Sequence, residues 1–123
     1  MRGGNVMRKC LVSWSYNEPV DKLVATVLEV TYYGENRIVK VLYGNDAEKF
    51  LYNLGFVYGG QFKLDCAEGF VTVHWNEDIV EVWDWPDDTL LRTLNKKLSK
   101  KMNDTLKSYF EVPKVITHSY ENF

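Results

Sequence analysis

Apolar and polar positions alternate most strongly in the segment FVTVHWNEDIVEVWDW, residues 70–85. Two alternating runs, 70–75 and 79–85, flank the polar break Asn76-Glu77-Asp78, which is the pattern of a β-hairpin. A two- or four-residue loop gives one register, pairing Trp75 with Val80, His74 with Glu81, Val73 with Val82, Thr72 with Trp83 and Phe70 with Trp85. Val71, Val73, Trp75, Val80 and Val82 then share one face, which predicts core. The other face carries His74 opposite Glu81 together with Phe70, Trp83 and Trp85, so both sides of the hairpin need a cover or a partner. A three-residue loop would oppose Val73 to Glu81 and mix the faces.

The same pattern organises the rest of the chain. In CLVSWSY, Cys10, Val12, Trp14 and Tyr16 lie on one side and Leu11, Ser13 and Ser15 on the other, which is a strand; Asn17-Glu18-Pro19 ends it. Residues 20–33 admit two readings. Val20, Leu23, Val24, Val27 and Leu28 sit at helical spacing, yet the β-branched content favours a strand. A tight turn at Gly34-Glu35 would bring Val30 to Val39, Leu28 to Val41, Glu29 to Lys40 and Tyr32 to Arg37, satisfying packing and charge together. The expectation is therefore a hairpin of 23–33 with 37–43, preceded by at most a helical turn near 19–23. Asn45 reads as the cap of a short helix with Glu48 as the return arm and Gly55 as its left-handed stop; Ala47, Phe50, Leu51 and Leu54 form its buried stripe.

Residues 56–64 read as a further strand bent at Gly59-Gly60, and 65–69 as a turn into the central hairpin. Pro86 fits a first helical position and Asp87 and Asp88 complement the dipole of a long helix reaching about residue 110. Leu90, Leu91, Leu94, Leu98, Met102, Leu106 and Tyr109 are its apolar stripe. Beyond it, Val115-Ile116 fits an edge strand or a tail. The fold class expected is α+β: one domain over 1–123, with 1–7 disordered, in which a mainly antiparallel sheet of about five to six strands packs against the long C-terminal helix, with a short helix near 45–54.

Composition adds bounds. A chain of 123 residues with 46% hydrophobic and 26% charged content can bury a core without staples. No apolar run approaches the ~20 residues of a membrane span, and the N-terminus lacks a signal-peptide pattern, so the cytoplasm is the expected compartment. Cys10 and Cys66 share no metal-type spacing and read as small buried hydrophobes of a reducing compartment. Codons for Arg2-Gly3-Gly4 are purine-rich, as a ribosome-binding site before Met7 would be; on that reading the working chain starts at Met7 and comes from a bacterium or bacteriophage, whereas a disordered N-terminus that starts at Met1 is equally compatible with the residues.

Charge changes the picture most. Asp65, Glu68, Glu77, Asp78, Glu81, Asp84, Asp87 and Asp88 follow one another with no lysine or arginine between them, whereas the helix after them carries Arg92, Lys96, Lys97, Lys100, Lys101 and Lys107. The net charge of −2 thus conceals a polarised molecule. Acids at turns and at a helix start suit a solvated face. With Trp83 and Trp85 among them they also suit an acidic, aromatic surface for a basic partner, for which Glu77, Asp78, Glu81, Trp83, Asp84 and Trp85 are the candidate residues. The basic helix reads as lysines snorkelling over the sheet, or as a phosphate-binding face on which Arg92, Asn95 and Asn103 could read bases. No glycine-rich phosphate loop, nucleophile elbow, metal-ligand motif or nucleic-acid-binding motif accompanies these features, so no catalytic residue, cofactor or metal is assigned. His74 beside Glu81 is the acid–base pair the register predicts, and it reads as a cross-strand contact; His118 falls in the tail.

This aromatic-rich, motif-free, charge-polarised profile resembles the small accessory proteins of bacteriophages and mobile elements, anti-CRISPR proteins among them. The resemblance is one of type. It implies an inhibitor that occupies a site on a host enzyme or defence complex and carries no residue assignments. The functional expectation is a non-enzymatic protein-binding or inhibitory module whose partner has a basic surface, such as a nucleic-acid-handling enzyme. The alternative is a nucleic-acid-binding regulator that uses the basic helix.

Overall fold

The computed structural model describes residues 7–17, 22–30, 34–56, 68–85 and 89–111. Its elements in chain order are β1 (Arg8–Asn17), β2 (Lys22–Val30), β3 (Asn36–Tyr43), α1 (Gly44–Asn53), β4 (Glu68–Trp75), β5 (Val80–Asp84), β6 (Leu90–Thr93) and α2 (Lys96–Phe110). The strands form one antiparallel six-stranded sheet in the order β3-β2-β1-β4-β5-β6, an α+β arrangement with both helices on one side. β1 is the hinge of this topology because it pairs with β2 along one edge and with β4 along the other. The expected readings of 19–21, 31–33, 57–67, 86–88 and 112–123, together with residues 1–6, Cys66 and His118, lie outside the described residues.

The core is built from the sides that alternation marks. Cys10, Val12 and Trp14 of β1, Leu23, Ala25 and Val27 of β2, Val71, Val73 and Trp75 of β4, and Val80 and Val82 of β5 join Phe50, Leu51 and Leu54 of α1 and Met102 and Leu106 of α2 in one buried cluster. Trp14 packs against Phe56 with ring centroids 4.7 Å apart, and Trp75 packs against Phe110 at 5.7 Å. Gly69 makes room for the first of these contacts, since a Cβ there would run into the Trp14 indole. The β4–β5 register is the one expected, with Trp75 opposite Val80, Val73 opposite Val82, His74 opposite Glu81 and Thr72 opposite Trp83. Glu68 and Gly69 begin β4 rather than a turn.

Residues 22–30 are a strand, but the β2–β3 register differs from the expected one. Leu28 faces Ile38, Glu29 faces Arg37 and Val30 faces Asn36, and the pairing slips between Val27 and Leu28, where Val27 faces Lys40. A constant register from a tight turn at Gly34-Glu35 could not include this bulge, which leaves an extra residue, Val39, on β3. The observed register, which differs from the expected one on both sides of the bulge, replaces the Glu29–Lys40 pair with an ion pair in which Arg37 reaches Glu29 through Nε at 3.1 Å and Nη2 at 2.5 Å. Both side chains are well exposed, so the pair specifies register more than it stabilises.

α1 starts at Gly44, a residue before the expected Asn45 cap. Tyr43 occupies the cap position in extended conformation with no side-chain cap bond. Gly44, at φ +57, turns the end of β3 straight into the helix, so Asn45 is already inside it. The C-terminal stop is as expected. Gly55 has φ +102, its N–H donates to the Tyr52 carbonyl at 2.9 Å and the Phe56 N–H donates to the Leu51 carbonyl at 3.0 Å, which is a Schellman closure.

The long C-terminal helix is shorter than its apolar stripe predicts. Residues 90–93 form β6 against β5, and the helix begins after Asn95, whose Oδ1 accepts the Leu98 N–H at 2.9 Å. A stripe containing Leu90, Leu91 and Leu94 is compatible with either element, and the backbone decides between them. As a strand, this segment covers what would otherwise be the open edge of β5, supported by Asp84 N–H to Thr89 O at 2.8 Å and Leu94 N–H to Val80 O at 2.9 Å. Ser99, placed among lysines and fully buried, then ties the helix to the sheet by accepting the Val80 N–H at 3.2 Å and donating to the Leu94 carbonyl at 3.1 Å.

Cys10 is buried to 0% exposure. Removal from water pushes its thiol up from an ordinary 9.0 to about 12, and the neighbouring Trp75 indole and Arg8 charge offset only part of that rise. The folded protein therefore keeps a proton that the unfolded chain releases. This contribution to stability is complete below the ordinary thiol value and is lost as pH rises toward the folded one. In a Cys66→Ser background, Cys10 is expected to resist thiol reagents until the protein unfolds. The urea midpoint should also fall more steeply on the alkaline side than that of Cys10→Ala in the same background. Rapid labelling of the native protein, or equal slopes, would show that the thiol is not in the core.

Candidate functional site

Because both helices pack on the Val71–Val73–Val82 side, the register alone determines what the opposite face of the sheet presents. Side chains there fall in rows across the strands. Lys9, His74, Glu81 and Thr93 form one row, and Ile38, Leu28, Leu11, Thr72, Trp83 and Leu90 the next. Val41, Thr26, Ser13 and Phe70 form a third, and Tyr43, Val24, Ser15 and Glu68 a fourth. Leu11 and Thr72 are buried, whereas Ile38 is 59% exposed, Trp85 50% and Phe70 36%. Among the described residues no helix covers this face, and it is more apolar than a solvated outer face needs to be.

The aromatic side chains are locked to one another. Trp83 stacks on His74 with centroids 5.2 Å apart and planes at 21°, and its Nε1–H donates to Glu81 Oε1 at 3.2 Å. Trp85 packs against Phe70 at 5.1 Å. The predicted His74–Glu81 cross-strand neighbours are thus present, and the Trp83 indole touches both. This produces a rigid, half-exposed platform with a carboxylate at one margin, an arrangement suited to desolvated contact with another molecule.

The structure brings Glu81, Trp83 and Trp85 together on this face and separates the remaining predicted residues from it. Asp84 pairs with Val71, so its position belongs to the helix side, at the exposed end of β5. Glu77 and Asp78 lie in the β4–β5 turn, which Asn76 closes by accepting the Asp78 N–H at 2.8 Å and the Ile79 N–H at 3.0 Å. They line a cleft of about 740 Å³ with Lys96, Lys100 and Lys107 of α2. Acid and base, far apart in the expected polarised layout, therefore adjoin at this corner.

Lys96, Lys97, Lys100, Lys101 and Lys107 are exposed on α2. The expected base-reading residues do not accompany them. Arg92 lies on β6 with its guanidinium against Gly55, Asn95 is the helix cap and Asn103 is buried. Among the described residues no group of three or more His, Cys, Asp or Glu side chains is placed to hold a metal ion, and no helix is long and apolar enough to cross a membrane.

Sequence reasoning missed Leu11, Leu28, Ile38, Leu90, Ser13, Ser15 and Thr26 as members of the surface. The alternation in CLVSWSY already put Leu11, Ser13 and Ser15 off the core side, but their neighbours follow only from the pairing of β1 with β4, which are distant in the chain. Searches against protein-family models, curated proteins and solved structures found no match to this chain.

Proposed function

We propose that the protein is a non-enzymatic binding module whose working surface is the helix-free sheet face, centred on Trp83, Trp85 and Phe70 and bordered by Glu81 and Glu68. The observation that carries this reading is that Trp85 and Phe70 stand exposed on a face that also holds Ile38 and Leu90 in the open. Burial of such rings against a partner is strongly favourable, and tryptophan is the residue type that most often anchors interfaces. The acids at the margin favour a partner with a basic surface, such as a nucleic-acid-handling enzyme. Resemblance in type to phage accessory proteins supplies the inhibitory half of the reading, in which occupancy of that surface blocks the partner.

The test compares variants as baits for bacterial host proteins, followed by kinetics on the purified partner. Charge reversal at Glu81, alone or together with Glu68, is expected to slow association and weaken its salt dependence, because marginal charges act mainly on encounter. Neutralising Lys96, Lys97, Lys100 and Lys101 together should leave capture intact. Capture that survives the acidic variants but fails in the lysine variant, with retention on DNA that collapses as salt is added, would replace this reading with nucleic-acid binding through α2.

A further inference from the structure

We infer that a pocket on the helix-free face receives an arginine side chain of the basic partner, a refinement that rests on the proposed function. The pocket has a cavity volume of about 460 Å³ and is lined by Ser13, Trp14, Ser15, Val24, Thr26, Glu68, Gly69 and Phe70. Its origin is the register. Two adjacent rows, Thr26–Ser13–Phe70 and Val24–Ser15–Glu68, place short side chains in the centre of the sheet with a ring and a carboxylate beside them on β4. Ser13, Ser15 and Thr26 are too small to fill the space beside Phe70, whose ring is held by Trp85 with centroids 5.1 Å apart.

The chemistry of the lining selects the occupant. Among the described residues of its lining Glu68 is the only charged side chain, so the pocket favours a cation. Three hydroxyls can accept N–H groups, and the Phe70 ring offers a face on which a flat cation can lie. Guanidinium matches this set better than ammonium, because it is planar, stacks on aromatic rings and pairs with a carboxylate through two N–H groups while leaving others for the hydroxyls. An acidic anion would meet Glu68 without a compensating base. A purely apolar group would bury the hydroxyls unpaired.

The pocket can be tested without the partner. Nα-acetyl-arginine amide is titrated into the full chain while backbone amide resonances are followed, with the citrulline analogue as a neutral probe of the same shape. Expected shifts cluster at Ser13, Ser15, Thr26, Glu68, Gly69 and Phe70, saturate with arginine, and are absent with citrulline. Glu68→Gln should weaken the arginine effect roughly tenfold while leaving the urea midpoint unchanged. Ser13→Leu, which fills the space without changing charge, should abolish it. Equal shifts from citrulline, or none at these residues with arginine, overturn the inference. With the purified partner, loss of binding in Trp85→Ala but not in Glu68→Gln would overturn the arginine pocket and leave the proposed function standing. Retention of binding in both variants would overturn both.

Discussion

Leu106→Ala is expected to lower the unfolding free energy by about 2–5 kcal/mol, the range for truncating a fully buried leucine. Leu106 is at 0% exposure in the cluster that joins α2 to the sheet. Deletion removes both its transfer free energy and the contacts of the residues around the cavity it leaves. Leu98, half-buried on the same helix, should cost less. Leu90→Ala should cost under about 1 kcal/mol, because Leu90 is 43% exposed and lies in β6. This ranking separates the observed architecture from a helix that runs unbroken from 86 to 110, in which Leu90, about 80° from Leu98 around the axis, would be drawn into the same buried stripe and weigh about as much as Leu98. Urea midpoints of the three variants decide it, and equal losses at Leu90 and Leu98 would rule out β6.

Trp85→Ala is expected to speed dissociation of the partner and cost ~2 kcal/mol or more in affinity, as truncation of an interface anchor does. The same change should leave folding nearly untouched, because the ring is half exposed in the free protein and packs mainly on Phe70. Trp83→Ala is expected to behave differently. Trp83 is half-buried, stacks on His74 and donates to Glu81, so its loss should reduce both stability and affinity. Stability and dissociation rate measured on the same two variants distinguish these roles. If Trp85→Ala unfolds the domain, the ring is a structural element, and if it leaves dissociation unchanged, the anchor lies elsewhere.

Much of this surface was legible in the chain because its information is local. The β4–β5 hairpin follows from alternation on both sides of Asn76-Glu77-Asp78, and a slip by one residue would have moved Val73 and Val82 out of the core. The α1 stripe and the stop at Gly55 are equally local, since they depend on spacing within a few turns and on a residue that tolerates positive φ. The misreadings share a cause. The bulge opposite Val27 and the strand at 90–93 exist only through pairing with a neighbouring strand, and the positive φ of Gly44 belongs to the join between β3 and α1. A residue-by-residue pattern does not contain that information.

Local pattern in the chain is enough to assign the apolar side of each strand, the end of α1, the pairing of β4 with β5 and the cluster of acids before a lysine-rich helix. Long-range packing places β1 between β2 and β4, and therefore makes Ser13, Ser15 and Thr26 a depression beside Phe70 and Glu68. It alone decided that both helices cover the valine side and leave Trp85 in the open, and that Glu77 and Asp78 face the lysines of α2. The physical reason is the range of the interactions. Alternation, caps and turns are set by backbone geometry over a few residues, whereas strand order and the choice of covered face minimise exposed apolar area and unpaired backbone over the whole chain at once.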